Sequence, residues 1–140
     1  MNLLLVEDNP ADMRLVREAL GERAVAVELH WVADGSAALD FLHRRGAHAN
    51  APVPDLVLLD LNLPGIGGQE VLVEIKCSPA LASIPVVVLT SSAARHDVVN
   101  AYAAHANAYQ LKPADYDDYL SLIGQIEAYW LGAVLLPPRP

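Results

Sequence analysis

The clearest structural signal in this chain is the stretch Asp55-Leu56-Val57-Leu58-Leu59-Asp60-Leu61-Asn62-Leu63-Pro64-Gly65. Its four consecutive apolar residues, 56–59, are typical of a short strand that is buried on both faces, as in a parallel sheet. The acid Asp60 follows directly, and Pro64-Gly65 marks a turn a few residues later. The stretch therefore predicts a central parallel strand with a carboxylate at its carboxyl end.

Four more apolar runs accompany this strand along the chain. The predicted strands are Leu3 to Val6, Val25 to Val32, Leu56 to Leu59, Val86 to Leu89 and Ala108 to Leu111. The first, third and fourth are continuously apolar, which is expected of strands in the centre of a sheet. The second alternates instead, which is typical of an edge strand. Its apolar face would hold Val25, Val27, Leu29 and Trp31, and its polar face Glu28 and His30.

Segments with helical spacing separate the strands. The first has the clearest bounds, with Asn9 as N-cap, Pro10 at the first helical position and Gly21 at the end. The others run near Ser36 to Arg45, Gln69 to Cys77, Ala94 to His105 and Tyr116 to Trp130, the last capped by Asp115. Five strand–helix units predict an α/β, doubly wound fold with a parallel sheet of order 2-1-3-4-5.

Length and composition bound the function. A chain of 140 residues suits one domain. With 9 Lys and Arg against 17 Asp and Glu, its net charge of −8 argues against nucleic-acid binding. The single Cys77 fits a reducing compartment, and the apolar opening is too short to be a leader or a membrane span, so we expect a cytoplasmic protein. The five histidines lack paired ligand spacing and are expected at solvated surface positions.

Two segments lie outside the strand–helix pattern. Residues Arg44 to Pro54 are rich in Gly, Ala, His and Pro and are expected to form a mobile surface loop without an assigned function. The other segment is the tail 131–140, in which several apolar residues precede a proline-rich end that stops any helix. The predicted organisation is therefore one domain over residues 1–130, followed by this tail.

The residues that end the strands carry the predicted chemistry. In a parallel α/β sheet the reactive crevice lies beyond the carboxyl ends of the strands. Glu7-Asp8 follows the first strand and Asp60 the third, whereas Thr90 ends the fourth and Lys112 follows the fifth. Each alone has an ordinary explanation as a turn residue. Their convergence from four strands indicates a functional site.

The three acids predict a metal ion. Two carboxylates about 4 Å apart repel by roughly 4 kcal/mol at an effective dielectric constant near 20, so Glu7, Asp8 and Asp60 together need a cation. An all-oxygen cluster favours Mg²⁺, which leaves positions for phosphate oxygens. We therefore expect Asp60 to attack a phosphoryl group, whose charge Mg²⁺ and Lys112 share. Thr90 would donate its hydroxyl to a phosphoryl oxygen.

These stretches resemble the response-regulator receiver family across nearly the whole chain. The matching residues are Leu4-Leu5-Val6-Glu7-Asp8-Asn9, residues 55–65 as quoted above, Val86-Val87-Val88-Leu89-Thr90-Ser91 and Lys112-Pro113. The resemblance implies the flavodoxin-like receiver fold and a phosphoryl group that comes from a histidine kinase. The protein would then be a phosphoacceptor in a two-component system, whose enzymatic chemistry is limited to its own phosphotransfer and dephosphorylation.

The resemblance also assigns roles at the metal. It implies that Glu7 and Asp8 hold Mg²⁺, that Asp60 is both the phosphoacceptor and a metal ligand, and that the Asn62 backbone carbonyl completes the protein ligands. The Asn62 side chain would face the path of the hydrolytic water.

A further set of implied roles concerns the phosphoryl group and the switch. Thr90 and Lys112 would engage the phosphoryl group, and a cis Lys112–Pro113 bond would turn the amine inward. Tyr109 would rotate when Thr90 moves, which makes the face around the fourth helix and fifth strand the readout surface. A lone tyrosine on a terminal strand is otherwise half-buried packing.

A narrower resemblance is to the single-domain regulators that partner phytochrome-type histidine kinases. It rests on residues 60–65, 84–92, 106–109 and 126–131. Proteins of that subgroup often self-associate and lack DNA-binding modules, so a homodimer through the last helix and tail is expected, with Tyr129 and Trp130 as apolar surface. The alternative is that these aromatic residues pack into the chain's own core.

Two other functions compete with this interpretation. A haloacid-dehalogenase-type phosphatase also resembles an apolar strand that ends in a nucleophilic Asp, with a later Thr and Lys. Such enzymes have a second Asp two residues after the nucleophile, whereas this chain has Asn62. The remaining alternative is a receiver-like scaffold that is never phosphorylated, but this chain retains every acceptor-site residue.

Overall fold

The computed structural model describes residues 1–21 and 27–138. Within these ranges the strands are β1 (Asn2–Val6), β2 (Glu28–Val32), β3 (Leu56–Leu59), β4 (Val86–Thr90) and β5 (Ala108–Leu111). The α-helices are α1 (Pro10–Leu20), α2 (Gly35–His43), α3 (Gly68–Cys77), α4 (Arg95–Ala103) and α5 (Tyr116–Ala128). None of the helices in these ranges is both long enough and apolar enough to cross a membrane.

The strands form one parallel sheet of order β2-β1-β3-β4-β5, which confirms the predicted fold class and strand order. The three continuously apolar strands are the central ones, and β2 lies at an edge. The second strand was expected from Val25, but residues 22–26 lie outside the described ranges, and β2 begins at Glu28. The carboxyl ends of β1, β3, β4 and β5 therefore share one edge of the sheet.

Each central strand alternates its side chains between two apolar layers. Leu4 and Val6 of β1 face one layer with α2, α3 and α4, whereas Leu3 and Leu5 face the other with α1 and α5. All four of these side chains are almost fully buried. Burial on both faces explains why these strands lack the apolar–polar alternation of a half-exposed sheet.

The capping residues act as predicted. The Asn9 side chain accepts a hydrogen bond of 2.9 Å from the Ala11 amide at the start of α1, and Pro10 occupies the first helical position. At α5, the Asp115 carboxylate accepts a bond of 2.9 Å from the Asp118 amide. These bonds satisfy amides that have no partner within the helix.

The edge strand and the following loop differ from the sequence expectation. His30 was expected at a solvated position, but its side chain is mostly buried, bonds to Asn2 Oδ1 at 3.0 Å and stacks against Phe41. The loop 44–54 contains a short 3₁₀-helix, Gly46–His48, and His48 also packs against Phe41, with ring centroids 5.4 Å apart. Both imidazoles thus pack against Phe41, which belongs to the apolar layer.

The amino ends of β4 and β5 are joined by a lysine from α3. Lys76 Nζ donates to the carbonyls of Ala82 at 3.1 Å and Ile84 at 2.9 Å, and to Asn107 Oδ1 at 3.1 Å. The same Asn107 oxygen accepts a bond of 2.9 Å from the Val86 amide. Burial lowers the pKa of Lys76. The Lys76 ammonium thus binds three neutral oxygens and connects α3 with the segments that lead into β4 and β5.

The C-terminal segment packs partly on the domain. Helix α5 ends at Ala128, two residues before the predicted end, and a π-helix, Tyr129–Ala133, continues it. Leu131 is buried in the apolar layer of α1 and α5, whereas Leu135 is fully exposed. The predicted tail 131–140 therefore begins inside the core, and its last two residues lie outside the described ranges.

Candidate functional site

Three carboxylates converge at the carboxyl edge of the sheet. Glu7 and Asp8 follow β1, Asp60 follows β3, and one oxygen of each lies within 4.8 Å of the other two. Glu7 and Asp60 are buried, whereas Asp8 is exposed. The predicted meeting of these acids is confirmed, and the oxygen-only donor set suits a hard divalent cation.

Lys112 joins the acids from β5. Its Nζ donates to Asp60 Oδ2 at 2.8 Å, to Asp12 Oδ2 at 2.9 Å and to Glu7 Oε1. The Lys112 side chain is only 8% exposed, so these ion pairs are shielded from water. The predicted cis Lys112–Pro113 bond is wrong, since the described residues contain no cis peptide. The long side chain reaches the acids from a trans bond.

Sequence reasoning missed Asp12 as a site residue. It lies in the first turn of α1, where an acid ordinarily interacts with the helix dipole. The structure instead directs its carboxylate to Lys112. Its only sequence signal was its place in the helix that follows the predicted acidic pair.

Burial and charge shift the protonation of the site. Burial raises the pKa of Glu7 to about 7, although its contacts with Lys112 act in the opposite direction. For Lys112, burial alone would lower the pKa, but hydrogen bonds to Asp60, Glu7 and Asp12 outweigh it and raise the pKa above its ordinary value. The ammonium is therefore held in its charged form.

The loop after β3 fixes Asp60. The Asn62 amide donates to Asp60 Oδ1 at 3.0 Å, and the Gly68 amide donates to the Leu61 carbonyl at 3.1 Å. A Cβ on Gly68 would lie 2.2 Å from the Asp60 carbonyl oxygen, so only glycine allows α3 to approach this closely. This loop leads into α3, and the predicted role of the Asn62 carbonyl as a ligand stays a prediction.

Thr90 and Tyr109 each contact the backbone of Ser92. Thr90, at the end of β4, is fully buried, and its Oγ1 lies 3.5 Å from the Ser92 amide. The Tyr109 hydroxyl donates to the Ser92 carbonyl at 2.7 Å, and the Ser92 hydroxyl donates to Asp97 in α4. Burial raises the pKa of Tyr109. Ser92, which sequence reasoning did not single out, thus connects β4, β5 and α4.

The edge strand contributes a tryptophan to the site. Trp31 was expected to share the apolar face of β2, but it is 37% exposed. Its indole Nε1 donates to the Glu7 backbone carbonyl at 2.7 Å. The amphipathic indole therefore covers the β1 end of the site while its N–H is satisfied.

Comparison with known proteins agrees with this arrangement. The family model of the response regulator receiver domain matches residues 3–124. Response regulator Rcp1 of Synechocystis sp. is 47% identical over 96% of this chain and 92% of its own length. The protein named "Probable methanogenesis regulatory protein FilR2" of Methanothrix harundinacea is 43% identical over 93% of this chain and 83% of its own length.

Solved structures give the same result. The Mn²⁺-bound form of Rcp1 has a TM-score of 0.95 and 47% identity, and the alignment covers 98% of this chain and 99% of that one. The phosphorylated cyanobacterial phytochrome response regulator RcpA has a TM-score of 0.96 and 45% identity, with 98% of each chain covered.

Proposed function

We propose that this chain, which belongs to the response regulator receiver domain family, takes a phosphoryl group from a histidine kinase onto Asp60 with the help of Mg²⁺. The observation that carries the proposal is the contact of Asp60 with Lys112 at 2.8 Å beside the carboxylates of Glu7 and Asp8. The phosphorylated state of the similar RcpA supports it.

The charge of the site fits a divalent cation. The carboxylates of Glu7, Asp12 and Asp60 contact the one ammonium, and that of Asp8 lies beside Glu7 and Asp60, so negative charge remains in excess. Glu7, Asp8, Asp60 and the Asn62 carbonyl would hold Mg²⁺, and the Mn²⁺-bound form of Rcp1 supports a divalent ion. When bound, Mg²⁺ neutralises the oxygens of the transferring phosphoryl group.

The chain's own side chains account for the remaining chemistry. An Asp60 oxygen attacks the phosphorus of a phosphohistidine, the new P–O bond forms as the P–N bond breaks, and the leaving imidazole takes up a proton. Lys112 offers its ammonium to the phosphoryl oxygens, and the Thr90 hydroxyl donates to one of them. Loss of the phosphoryl group by attack of water on phosphorus then restores Asp60.

A switch follows from the contacts of Ser92. Movement of Thr90 toward the phosphoryl group would pull on Ser92, which accepts the Tyr109 hydroxyl bond. Loss of that bond would free Tyr109 to change rotamer and would alter the face of α4 and β5. The expected readout is a changed nuclear magnetic resonance signal of Tyr109 when beryllofluoride and Mg²⁺ are added.

The partners of this protein are expected to be other proteins. Similarity to RcpA supports a phytochrome-type histidine kinase as the phosphodonor, and the net charge supports a protein partner rather than nucleic acid. We also propose a signalling protein without substrate turnover and, since the single cysteine precludes an internal disulfide, a cytoplasmic location.

We also propose a homodimer that forms through α5 and the tail. Tyr129 is 55% exposed and packs edge-on against Trp130, and Leu135 is fully exposed. Leu131 is buried, so truncation after residue 130 would damage the core. The suitable variants are Tyr129→Ser and Leu135→Ser, which should lower the mass measured by sedimentation. An unchanged mass in both would contradict this interface.

The acceptor assignment is tested by mass spectrometry of the intact protein after incubation with acetyl phosphate and Mg²⁺. The wild type should gain one phosphoryl group, and Asp60→Asn should gain none. Asp55→Asn, at the opposite end of β3, is the matched control and should be labelled like the wild type. An adduct on Asp60→Asn would refute the assignment, whereas repeated turnover of a phosphomonoester would support a phosphatase.

A further inference from the structure

The Lys112 ammonium has three carboxylate partners, but only one of them lacks another proposed task. Glu7 and Asp60 are proposed metal ligands, and Asp60 is also the proposed acceptor. Asp12 has neither role, yet its Oδ2 lies 2.9 Å from Lys112 Nζ. It is therefore the partner that can stay with the ammonium throughout phosphoryl transfer.

We propose that Asp12 is a positioning residue that holds the Lys112 ammonium in place to receive the phosphoryl oxygens. This inference rests on the proposed function and adds a residue to the same site. When Asp60 becomes an acyl phosphate, its oxygens carry less negative charge and bind the ammonium more weakly. Asp12 then keeps the flexible four-carbon side chain of Lys112 from losing its orientation.

The local structure makes Asp12 a firm anchor. The Asn9 cap and Pro10 fix the first turn of α1, and the Asn9 amide donates to Glu7 Oε2 at 3.2 Å. The first turn is thereby tied to the end of β1. The side chains of Lys112 and Asp12 are 8% and 21% exposed, so this ion pair is shielded more than a surface pair, which contributes little.

A different role for Asp12 would have different consequences. The alternative is that Asp12 interacts with the helix dipole alone, as many acids in the first turn of a helix do. In that case its removal lowers the stability of α1 and leaves phosphoryl transfer unchanged. The observed contact with Lys112 predicts the opposite pattern. The two roles are therefore separable by experiment.

The first experiment measures adduct formation on the full chain with acetyl phosphate and Mg²⁺ over a range of donor concentrations. Asp12→Asn should lower the maximal rate about ten-fold, the size of one charge-assisted contact, without changing the half-saturating donor concentration. Asp12→Glu should recover part of the rate. Asp117→Asn, which removes an exposed charge at the start of α5, should leave the rate unchanged. An unchanged maximal rate in Asp12→Asn would overturn the inference.

The second experiment tests whether Asp12 acts through Lys112. In a Lys112→Met background, Asp12→Asn should cause no further loss of rate. An equal loss in both backgrounds would show that Asp12 acts elsewhere and would overturn the inference.

A third measurement is independent of phosphorylation. In the unmodified protein, the Lys112 ammonium should give a slowly exchanging magnetic resonance signal that is lost in Asp12→Asn. Retention of the signal would contradict the anchoring role. If the wild type takes no phosphoryl group at all, the proposed function fails, whereas this measurement still decides whether Asp12 holds Lys112.

Discussion

Two lysines lie at opposite ends of the same sheet and have opposite surroundings. At the carboxyl end, Lys112 contacts three carboxylates. At the amino end, Lys76 contacts two backbone carbonyls and one side-chain amide oxygen. Burial lowers the pKa of Lys76, whereas carboxylates overcome burial at Lys112 and raise its pKa.

The difference separates a chemical role from a structural one. Neutral oxygens satisfy the three hydrogens of an ammonium and hold segments together, but they leave no charge to exchange with a ligand. The negative charge of the acids around Lys112 exceeds its single positive charge. The ion pairs of Lys112 can therefore rearrange when a cation or phosphoryl group binds. In this protein the lysine with acidic neighbours lies at the proposed site, and the lysine with carbonyl neighbours holds segments together.

The largest expected contrast is in phosphorylation. Lys112→Met should lower the rate constant of adduct formation by about a hundredfold, because one donor to the developing charge is lost. Lys76→Met removes the same charge at the far end and should leave the rate within about two-fold. Mass spectrometry after incubation with acetyl phosphate measures both. Similar losses in the two variants would show that the position of Lys112 beside the acids has no special role in phosphoryl transfer.

The second contrast is in stability. Lys76→Met should lower the free energy of unfolding by about 1–3 kcal/mol, because the carbonyls of Ala82 and Ile84 lose their donor. Urea denaturation measures this change. Arg14→Met, on the exposed face of α1, is the matched control and should change stability by less than about 0.5 kcal/mol. An equal effect of the two substitutions would contradict a structural role for Lys76.

A smaller effect concerns alkaline pH. The pKa of Lys76 is lowered in the folded protein, so the unfolded chain binds more protons between that lowered pKa and the ordinary value of 10.5. The stability of the wild type relative to Lys76→Met should therefore rise with pH across that window. Unfolding curves at pH values up to 10.5 test the sign. A relative stability that falls over this range would show that the ammonium is favoured by folding.

The smallest effect is expected when Lys76 is given an acidic neighbour. Asn107→Asp keeps the accepting oxygen and adds a carboxylate charge beside the ammonium. We expect a change in unfolding free energy below about 1 kcal/mol, because Lys76 is only half-buried. The alkaline rise in stability should become weaker, since the new charge raises the pKa of Lys76. An undiminished rise would mean that the carboxylate does not reach Lys76.

The sequence was sufficient for the fold because the apolar pattern is local. Continuous apolar runs marked the central strands, and Asn9 with Pro10 marked the start of α1. The place of a polar residue at the end of a strand then predicted its meeting with Asp60, because parallel strands bring their ends to one edge. Glu7 and Lys112, which lie beside Asp60, were found in this way.

The missed residues owe their roles to contacts between distant segments. Asp12 is an acid in the first turn of α1, and Lys76 is a base in the last turn of α3. Both positions are favoured by the helix dipole, so neither residue stands out from its local sequence. Ser92 and Gly68 look like loop residues until the neighbouring elements are packed against them. The cis bond at Pro113 was the opposite error, in which a family pattern was carried over although a trans bond also lets the lysine reach the acids.

The hydrogen bond from Trp31 to the Glu7 carbonyl makes the edge strand an optical reporter of the site. Indole fluorescence responds to the charges around the ring, and this ring is bonded to the peptide of a proposed metal ligand. The other tryptophan, Trp130, lies in the C-terminal segment beside Tyr129. Trp130→Phe would therefore leave a single emitter, with which cation binding and phosphorylation can be followed in real time without a label.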